Sequence, residues 1–461
     1  MGGMSAGRTV RLGAGAGFAG DRIDPAVELA QHGALDYLVF ECLGERTVAA
    51  GHTRRLADPH AGYDPLLAAR LRAVLPHCRD AGTTVVTNSG AANPEAAGVR
   101  AAEVIRELGL PSRVATVTGD DVLDAVRRRD PRVWETGTRL SEIGEELISA
   151  NAYLGAEPVA QALASGADVV VTGRVADPAL YLGPLLHEHG WDRGDPTLLG
   201  RGTLVGHLLE CAGQLTGGYF ADPLTKPVPD PAHLGFPFAD VGPDGSAVFG
   251  KLARSGGRLD ARTCGEQLLY EVDDPGGYVT PDVVADFSGV TFTESGPDRV
   301  VASGATGRAR PDTLKVTLGF RGGWLGEGQI TYAGPRCLDR ARLAADIVRE
   351  RLVSVHGLDE TAVEVEYIGA GAAFRGLGGL AGLGGLGGPA AQAVDPVEVR
   401  LRVAARVASE EAASVVGWEV ESLYTNGPAG GGGARREHRE IVAVRSCLLP
   451  VEDVRPVVTV L

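Results

Sequence analysis

The sequence predicts an α/β protein with a parallel sheet in its N-terminal half, and three observations carry that reading. First, five times between residue 8 and about residue 220 a short apolar run ends in a loop of Gly, Asn, Asp, Glu and Arg and then passes into a helical pattern. Those loops follow Val10-Arg11-Leu12 and begin at Glu41, Asn88, Gly119-Asp120 and Gly173-Arg174. Second, helix starts recur as an Asp or Asn before a proline, at Asp24-Pro25, Asp64-Pro65, Asn93-Pro94 and Asp177-Pro178. Third, the texture changes near residue 235, where Gly-Pro-Asp-Gly (242–245), Asp-Asp-Pro-Gly-Gly (273–277) and Ser-Gly-Pro-Asp (295–298) separate short β-type runs. Parallel strands joined by helices bring their C-terminal loops to one sheet edge, and that edge is where α/β proteins bind ligands.

Taken in order, the buried strands fall at 35–40, 83–87, 114–117 and 169–171, each rich in Val, Leu or Thr. Residues 1–235 form the first domain, with its pocket at the strand C-termini. Residues 236–355 read as α+β material packed on it, with strands at 290–293, 299–302 and 313–318 and a helix at 338–353. Residues 356–461 read as a small α+β module. Its strands fall at 363–368, 396–407 and 441–449 and its helix at 409–424, a βαβ-like tail compatible with a ferredoxin-like fold. The Gly/Leu run at 376–388 carries too high a backbone entropy cost for a fixed element and reads as a mobile loop.

Composition narrows the function. The chain has 461 residues, more than one core usually supports. Its formal net charge of -15 leaves no basic footprint for nucleic acid. The six cysteines are scattered without a CxxC pair, so neither a disulfide framework nor a zinc site is expected. No signal pattern and no membrane-length apolar run stands out, so a cytoplasmic protein that binds no membrane is expected. A homo-oligomer is expected as well.

The motifs locate a site better than a reaction. Gly15-Ala16-Gly17-Phe18-Ala19-Gly20 fits GxGxxG, and Glu41 follows at the spacing of a ribose ligand. Asp21 and Arg22, however, sit where a pyrophosphate would meet a carboxylate, so tight turns account better for the glycines. Asp21, Arg22, Glu41, Arg46, Asn88, Asn93, Asp120, Asp121, Arg174 and Asp177 are expected at one sheet edge. There they suit acid–base work on a small carboxylate or thioester. For Asn93 and Asp177 a helix cap is the better reading. Glu41 and Asn88 end strands and have no capping role to explain them. Glu41, Asn88 and Asp120 are therefore the candidate catalytic residues. Glu41 or Asp120 would be the acid/base, while Asn88 and the amides near Gly90 would polarise a carbonyl. Gly15, Gly17, Asp21, Arg22, Gly90, Asn151, Arg174 and Asp177 are the candidate binding residues, with Arg22 and Arg174 set to hold a carboxylate or phosphate.

Four further features are weighed. Asn151 is expected at the opening of a helix, as a cap or as a functional group. His207, Glu210 and Cys211 share a helical face, but without a third ligand a packed or solvated helix is the better account, so no metal is expected. Lys315 alternates with Leu314 and Val316 and reads as a solvated strand face. The glycines at 427–433 beside Arg435 and Arg436 stay open between a phosphate cradle and a plain connection.

Seven segments in order are similar to the acyclic terpene utilisation protein AtuA family. They are GAGAGFAGDRID (13–24), DYLVFECLGER (36–46), TNSGAANP (87–94), SANAYLGAE (149–157), TGRVADP (172–178), HLLECAGQLTGGYFADP (207–223) and PDTLK (311–315). The resemblance covers about residues 8–355 and is not carried beyond about residue 370. It implies metabolism of small acyl compounds, in pathways that degrade citronellol, geraniol or branched acids through coenzyme A thioesters. The leading expectation is therefore an enzyme of branched acyl-CoA or carboxylate catabolism, a hydro-lyase or carbon–carbon lyase, with a coenzyme A thioester as a possible substrate. A non-catalytic acyl-CoA-binding subunit and a nucleotide-dependent oxidoreductase are the alternatives.

Overall fold

The computed structural model describes residues 8–372 and 396–461. They fall into two compact units, one within Met1–Phe320 together with Val444–Leu461, the other within Arg321–Ala443. The Gly/Leu run at 376–388 lies outside the described residues.

In the first unit, β1 (Val10–Ala16), β2 (Tyr37–Phe40), β3 (Thr84–Thr87), β4 (Val114–Thr118), β5 (Leu147–Ala152) and β6 (Val169–Thr172) alternate with helices. Next come β7 (Pro237–Val241), β8 (Ala247–Lys251), β9 (Tyr278–Val279), β10 (Val284–Asp286), β11 (Thr291–Gly296), β12 (Arg299–Ser303) and β13 (Thr306–Arg308). The remaining strands are β14 (Thr313–Ala333), β15 (Val363–Ile368), β16 (Glu398–Val407), β17 (Gly431–Pro450) and β18 (Val457–Val460). The fold is mixed α/β with a large sheet that contains parallel strands.

That sheet runs β11-β12-β8-β7-β1-β2-β3-β6-β4-β18. Its five central strands, β1-β2-β3-β6-β4, are parallel. Antiparallel strands extend it on both sides. The central strands do not alternate apolar with polar residues, because both of their faces are covered. Leu38, Val39, Val85, Val86, Val170 and Val171 are all fully buried. The region after residue 236 contributes β7, β8, β11 and β12 to this same sheet. In the second unit, β14, β15, β16 and β17 connect as βαββαβ with strand order β15-β16-β14-β17. Helices Cys337–Ser354 and Glu410–Asn426 cover one face of that sheet around Ile330, Tyr332, Leu401 and Val420.

The proline junctions mark helix starts less uniformly than the sequence pattern implies. Asn93 caps its helix, accepting from the Ala96 N–H at 3.3 Å. Asp24 lies inside its helix, and Asp64 precedes a helix that begins at Leu67. Asp177 caps nothing with its side chain, since the helix Ala179–His189 has Pro178 at its N-cap. A further junction, Asp195-Pro196, is a full cap whose carboxylate accepts from Thr197 and Leu198 N–H at 2.9 and 3.1 Å. Asp195→Ala is expected to cost about 1 kcal/mol in urea unfolding.

Three expectations need correction. Asn151 does not open a helix. It lies in β5, whose antiparallel partner β14 fixes its direction through Thr317. Gly13 and Gly15 belong to β1 rather than to a loop. The glycine run near 430 is shorter than a cradle, because β17 takes up the chain from Gly431 through Arg436. Among the described residues, no helix is long and apolar enough to cross a membrane.

Candidate functional site

The loops at the carboxyl ends of β1, β2 and β6 surround a cavity of about 580 Å³. Gly17, Asp21 and Arg22 line it from β1, Glu41 and Gly44 from β2, and Asp177 from β6. Helix Pro196–Leu209 delivers Glu210 and Cys211 to the same wall, and a turn after helix Ala261–Leu269 delivers Tyr270 and Glu271. Gly17 is glycine for a steric reason. A Cβ there would lie 2.6 Å from the Cys211 carbonyl carbon, so the β1 loop and the Glu210 wall could not close up.

Glu41 is buried at the head of this cavity. Its Oε1 accepts from the Leu43 N–H and from Asn88 Nδ2, both at 2.8 Å. Burial is the largest influence on its carboxyl and, with the charge of Asp177, pushes it up to about 8. Arg174, Asn88 and the Leu43 amide pull the other way without prevailing. Glu210 is the second carboxyl in the neutral range. Burial pushes it up to about 7, against the opposing pull of His207. His207 Nδ1 lies 3.1 Å from Glu210 Oε1, and its ring packs against Tyr278 and Phe287. Burial disfavours the charged imidazole, but the bond with Glu210 outweighs it and raises His207. The pair therefore holds a proton near neutral pH. Glu210 Oε2 is buried with no hydrogen-bond partner.

The remaining candidates lie in a hydrogen-bonded layer that underpins the loops. Asn88 Oδ1 accepts from the Cys42 N–H at 2.7 Å, so both ends of its amide are engaged. Asp120 Oδ2 accepts from Asn151 Nδ2 and from the Arg174 N–H, both at 2.9 Å. Asn151 Oδ1 in turn lies 2.7 Å from His52 Nε2, which donates because the Asn151 amide is committed to Asp120. Burial pushes Asp120 up to about 6. Gly173 admits this arrangement, since a Cβ there would lie 2.5 Å from Asp120 Oδ1. Arg174 is only 1% exposed. Its guanidinium donates to the carbonyls of Leu43 and Val175 and to the Asp177 carboxylate, and stacks 4.6 Å from the Tyr153 ring centroid. Gly90 packs against the Thr172 carbonyl. Gly15 faces the Phe40 ring, and Asp21 accepts from the Gly17 N–H at 2.8 Å. That bond uses an amide which a dinucleotide fingerprint would turn to a pyrophosphate.

The structure thus sorts the predicted set into two groups. Gly17, Asp21, Arg22, Glu41 and Asp177 line the cavity. Asn88, Asp120, Asn151 and Arg174 form the layer beneath. Lys315 is not simply solvated. Its Nζ lies 2.6 Å from Glu45 Oε1 and 5.1 Å from the Tyr153 ring centroid. Sequence reasoning missed Tyr219, Tyr270 and Glu271 as lining residues, and Arg70, which is 2% exposed, pairs with Asp64 and donates to the Ala19 carbonyl at 2.6 Å. Glu210 carries a signal in the sequence, its i, i+3 pairing with His207, which reads there as a packed or solvated helix in preference to a metal face. Among the described residues, no group of three or more His, Cys, Asp or Glu side chains is placed to hold a metal ion.

Fold and cavity together are those of α/β proteins that keep a polar cleft at the carboxyl ends of parallel strands. Within that class, the chain belongs to the acyclic terpene utilisation family AtuA, whose model matches residues 10–460. The match runs well past residue 370, through the second unit to the last strand. No curated protein and no solved structure matches the chain.

Proposed function

We propose that the chain is an enzyme of acyclic terpene and branched-chain acyl catabolism, a lyase that moves protons at the Glu41 cavity. The observation that carries the reading is a pair of buried carboxyls, Glu41 and Glu210, held near neutral pH in one cavity. Two titratable groups tuned away from their ordinary range are the usual equipment for acid–base chemistry at pH 7. In a hydro-lyase step, Glu41 in its ionised form, the minor one below about pH 8, takes the proton from the carbon next to the acyl carbonyl. The electron pair forms the C=C bond, the C–O bond breaks, and the proton held by the Glu210–His207 pair leaves with the hydroxyl as water. Glu41 suits the base role because both hydrogen bonds it accepts fall on Oε1. The volume of about 580 Å³ lies within the range of roughly 300–1,000 Å³ that small-molecule sites occupy. Asn88, Asp120, Asn151 and Arg174 serve as positioning residues. The βαββαβ order of the second unit supports reading it as a ferredoxin-like module.

The test is deuterium exchange in D2O at the carbon next to the carbonyl of branched C10 acyl thioesters. Exchange is expected with the native chain and is expected to fall by about 100-fold or more in Glu41→Gln. Circular dichroism should show the same fold in both proteins. Binding of the thioester without exchange in either protein would point instead to a non-catalytic acyl-binding subunit.

A further inference from the structure

The polarity of the cavity bears on which form of the substrate it accepts. Five carboxyl side chains line it, those of Asp21, Glu41, Asp177, Glu210 and Glu271. Arg22 is the one basic side chain among the described lining residues. It is exposed, and its guanidinium donates to the Ala232 carbonyl at 3.0 Å. The buried cation beneath, Arg174, has its donors on two carbonyls and Asp177. An incoming carboxylate would meet like charges and no free donor from a buried cation.

Two further observations describe the ligand that would fit. Glu210 is 8% exposed and keeps Oε2 buried without a partner, and a hydroxyl, which both donates and accepts, can satisfy it in either protonation state of the pair. The lining also includes two aromatic side chains left open to solvent, Phe18 at 59% and Tyr219 at 85% exposure. Tyr219 sits in the left-handed region at φ 60° with its ring edge-on to Tyr270 at 5.8 Å. Leu234 and Phe236 continue this apolar lining. Exposed apolar groups beside an acidic interior suit a molecule with a hydrocarbon chain and an uncharged polar end.

We propose that the cavity takes a hydroxyl-bearing branched acyl group as its uncharged thioester and turns away the free carboxylate, with Phe18 and Tyr219 holding the hydrocarbon chain. The inference rests on the acid–base reading for the location of the site and goes beyond it in naming the substrate's form. It also replaces the expectation that Arg22 and Arg174 hold a substrate carboxylate.

The test is calorimetric titration of the full chain at pH 8 with N-acetylcysteamine thioesters. The probes are a branched C10 3-hydroxyacyl thioester, the same thioester without the hydroxyl, a C4 3-hydroxyacyl thioester and the free C10 hydroxy acid. The C10 hydroxyacyl thioester is expected to bind tightest, with Kd rising about tenfold on loss of the hydroxyl and about 30-fold or more for the free acid. Phe18→Ser and Tyr219→Asn are expected to raise Kd for the C10 thioester by about fivefold each and to leave the C4 thioester within about twofold. Free acid binding as tightly as the thioester, or no thioester binding at all, overturns the proposal. Equal losses for C4 and C10 in the two variants overturn the role given to the aromatic pair. Thioester preference without Glu41-dependent exchange would remove the lyase reading and leave this one standing. Exchange without thioester preference would do the reverse.

Discussion

Arg174→Ala should destabilise the first unit by about 3–5 kcal/mol, measured by urea unfolding. The reason is not one lost ion pair. The guanidinium is 1% exposed and serves the Leu43 and Val175 carbonyls, Asp177 and the Tyr153 face at once. Truncation leaves two carbonyls and a carboxylate without their donor, together with a cavity under the β2 and β6 loops. Arg174→Lys should recover little, since an ammonium cannot reproduce a planar fork that bonds in several directions. Arg22→Ala is the contrasting control. That side chain is exposed, and its loss should stay within about 0.5 kcal/mol. A loss below about 1 kcal/mol for Arg174→Ala would show that the loops hold their shape without it.

The difference between these two arginines marks how far the sequence could be read. Both follow a buried strand, both precede or adjoin an acidic residue, and nothing local separates them. What separates them is tertiary. Leu43, Tyr153 and Asp177 close over Arg174, whereas the exposed Arg22 donates to the Ala232 carbonyl. The parallel strands were legible because apolar runs of four to six residues with Gly and Asn behind them leave few alternatives. Asn151 was misjudged because Ser-Ala-Asn-Ala before a helix resembles a cap. Only pairing with β14, more than 160 residues away, makes it a strand. The first strand of the second unit belongs to β14, a run of 21 residues that the sequence shows only as far as Leu318 because Gly319, Gly322 and Gly323 obscure the alternation. Glu41 stands out in the sequence because a carboxylate at a strand end has no capping role, and it does line the cavity. Glu210 does not stand out because a helical His/Glu pair usually reads as a packed or solvated face, and only the tertiary fold brings it to the cavity.

The stability of the native chain should fall as pH rises from about 4.5 to 8, and Glu41→Gln should flatten that fall. In the unfolded chain Glu41 ionises near 4.5, while in the folded chain burial raises it to about 8. Folding therefore takes up a proton across this interval. The contribution is fully present below about pH 4.5 and is lost as pH passes through about 8. Each such group adds at most about 1.4 kcal/mol per pH unit to the slope, and over the whole window Glu41 has an upper bound of roughly 5 kcal/mol. Glu210, raised to about 7, and Asp120, raised to about 6, act in the same direction over lower windows. The sign is opposite to that of a carboxylate held by a salt bridge, which loses stability on acidification. Urea unfolding at pH 5, 6, 7 and 8 separates the cases. Between pH 7 and 8 the Glu41 contribution is being lost, so Glu41→Gln should be flatter than the native chain there, whereas Glu210→Gln should differ most between pH 5 and 7. Parallel curves for native chain and Glu41→Gln between pH 7 and 8 would mean that water reaches the carboxyl and that its proton is not held by burial, which would also remove the basis for its use as a base at neutral pH.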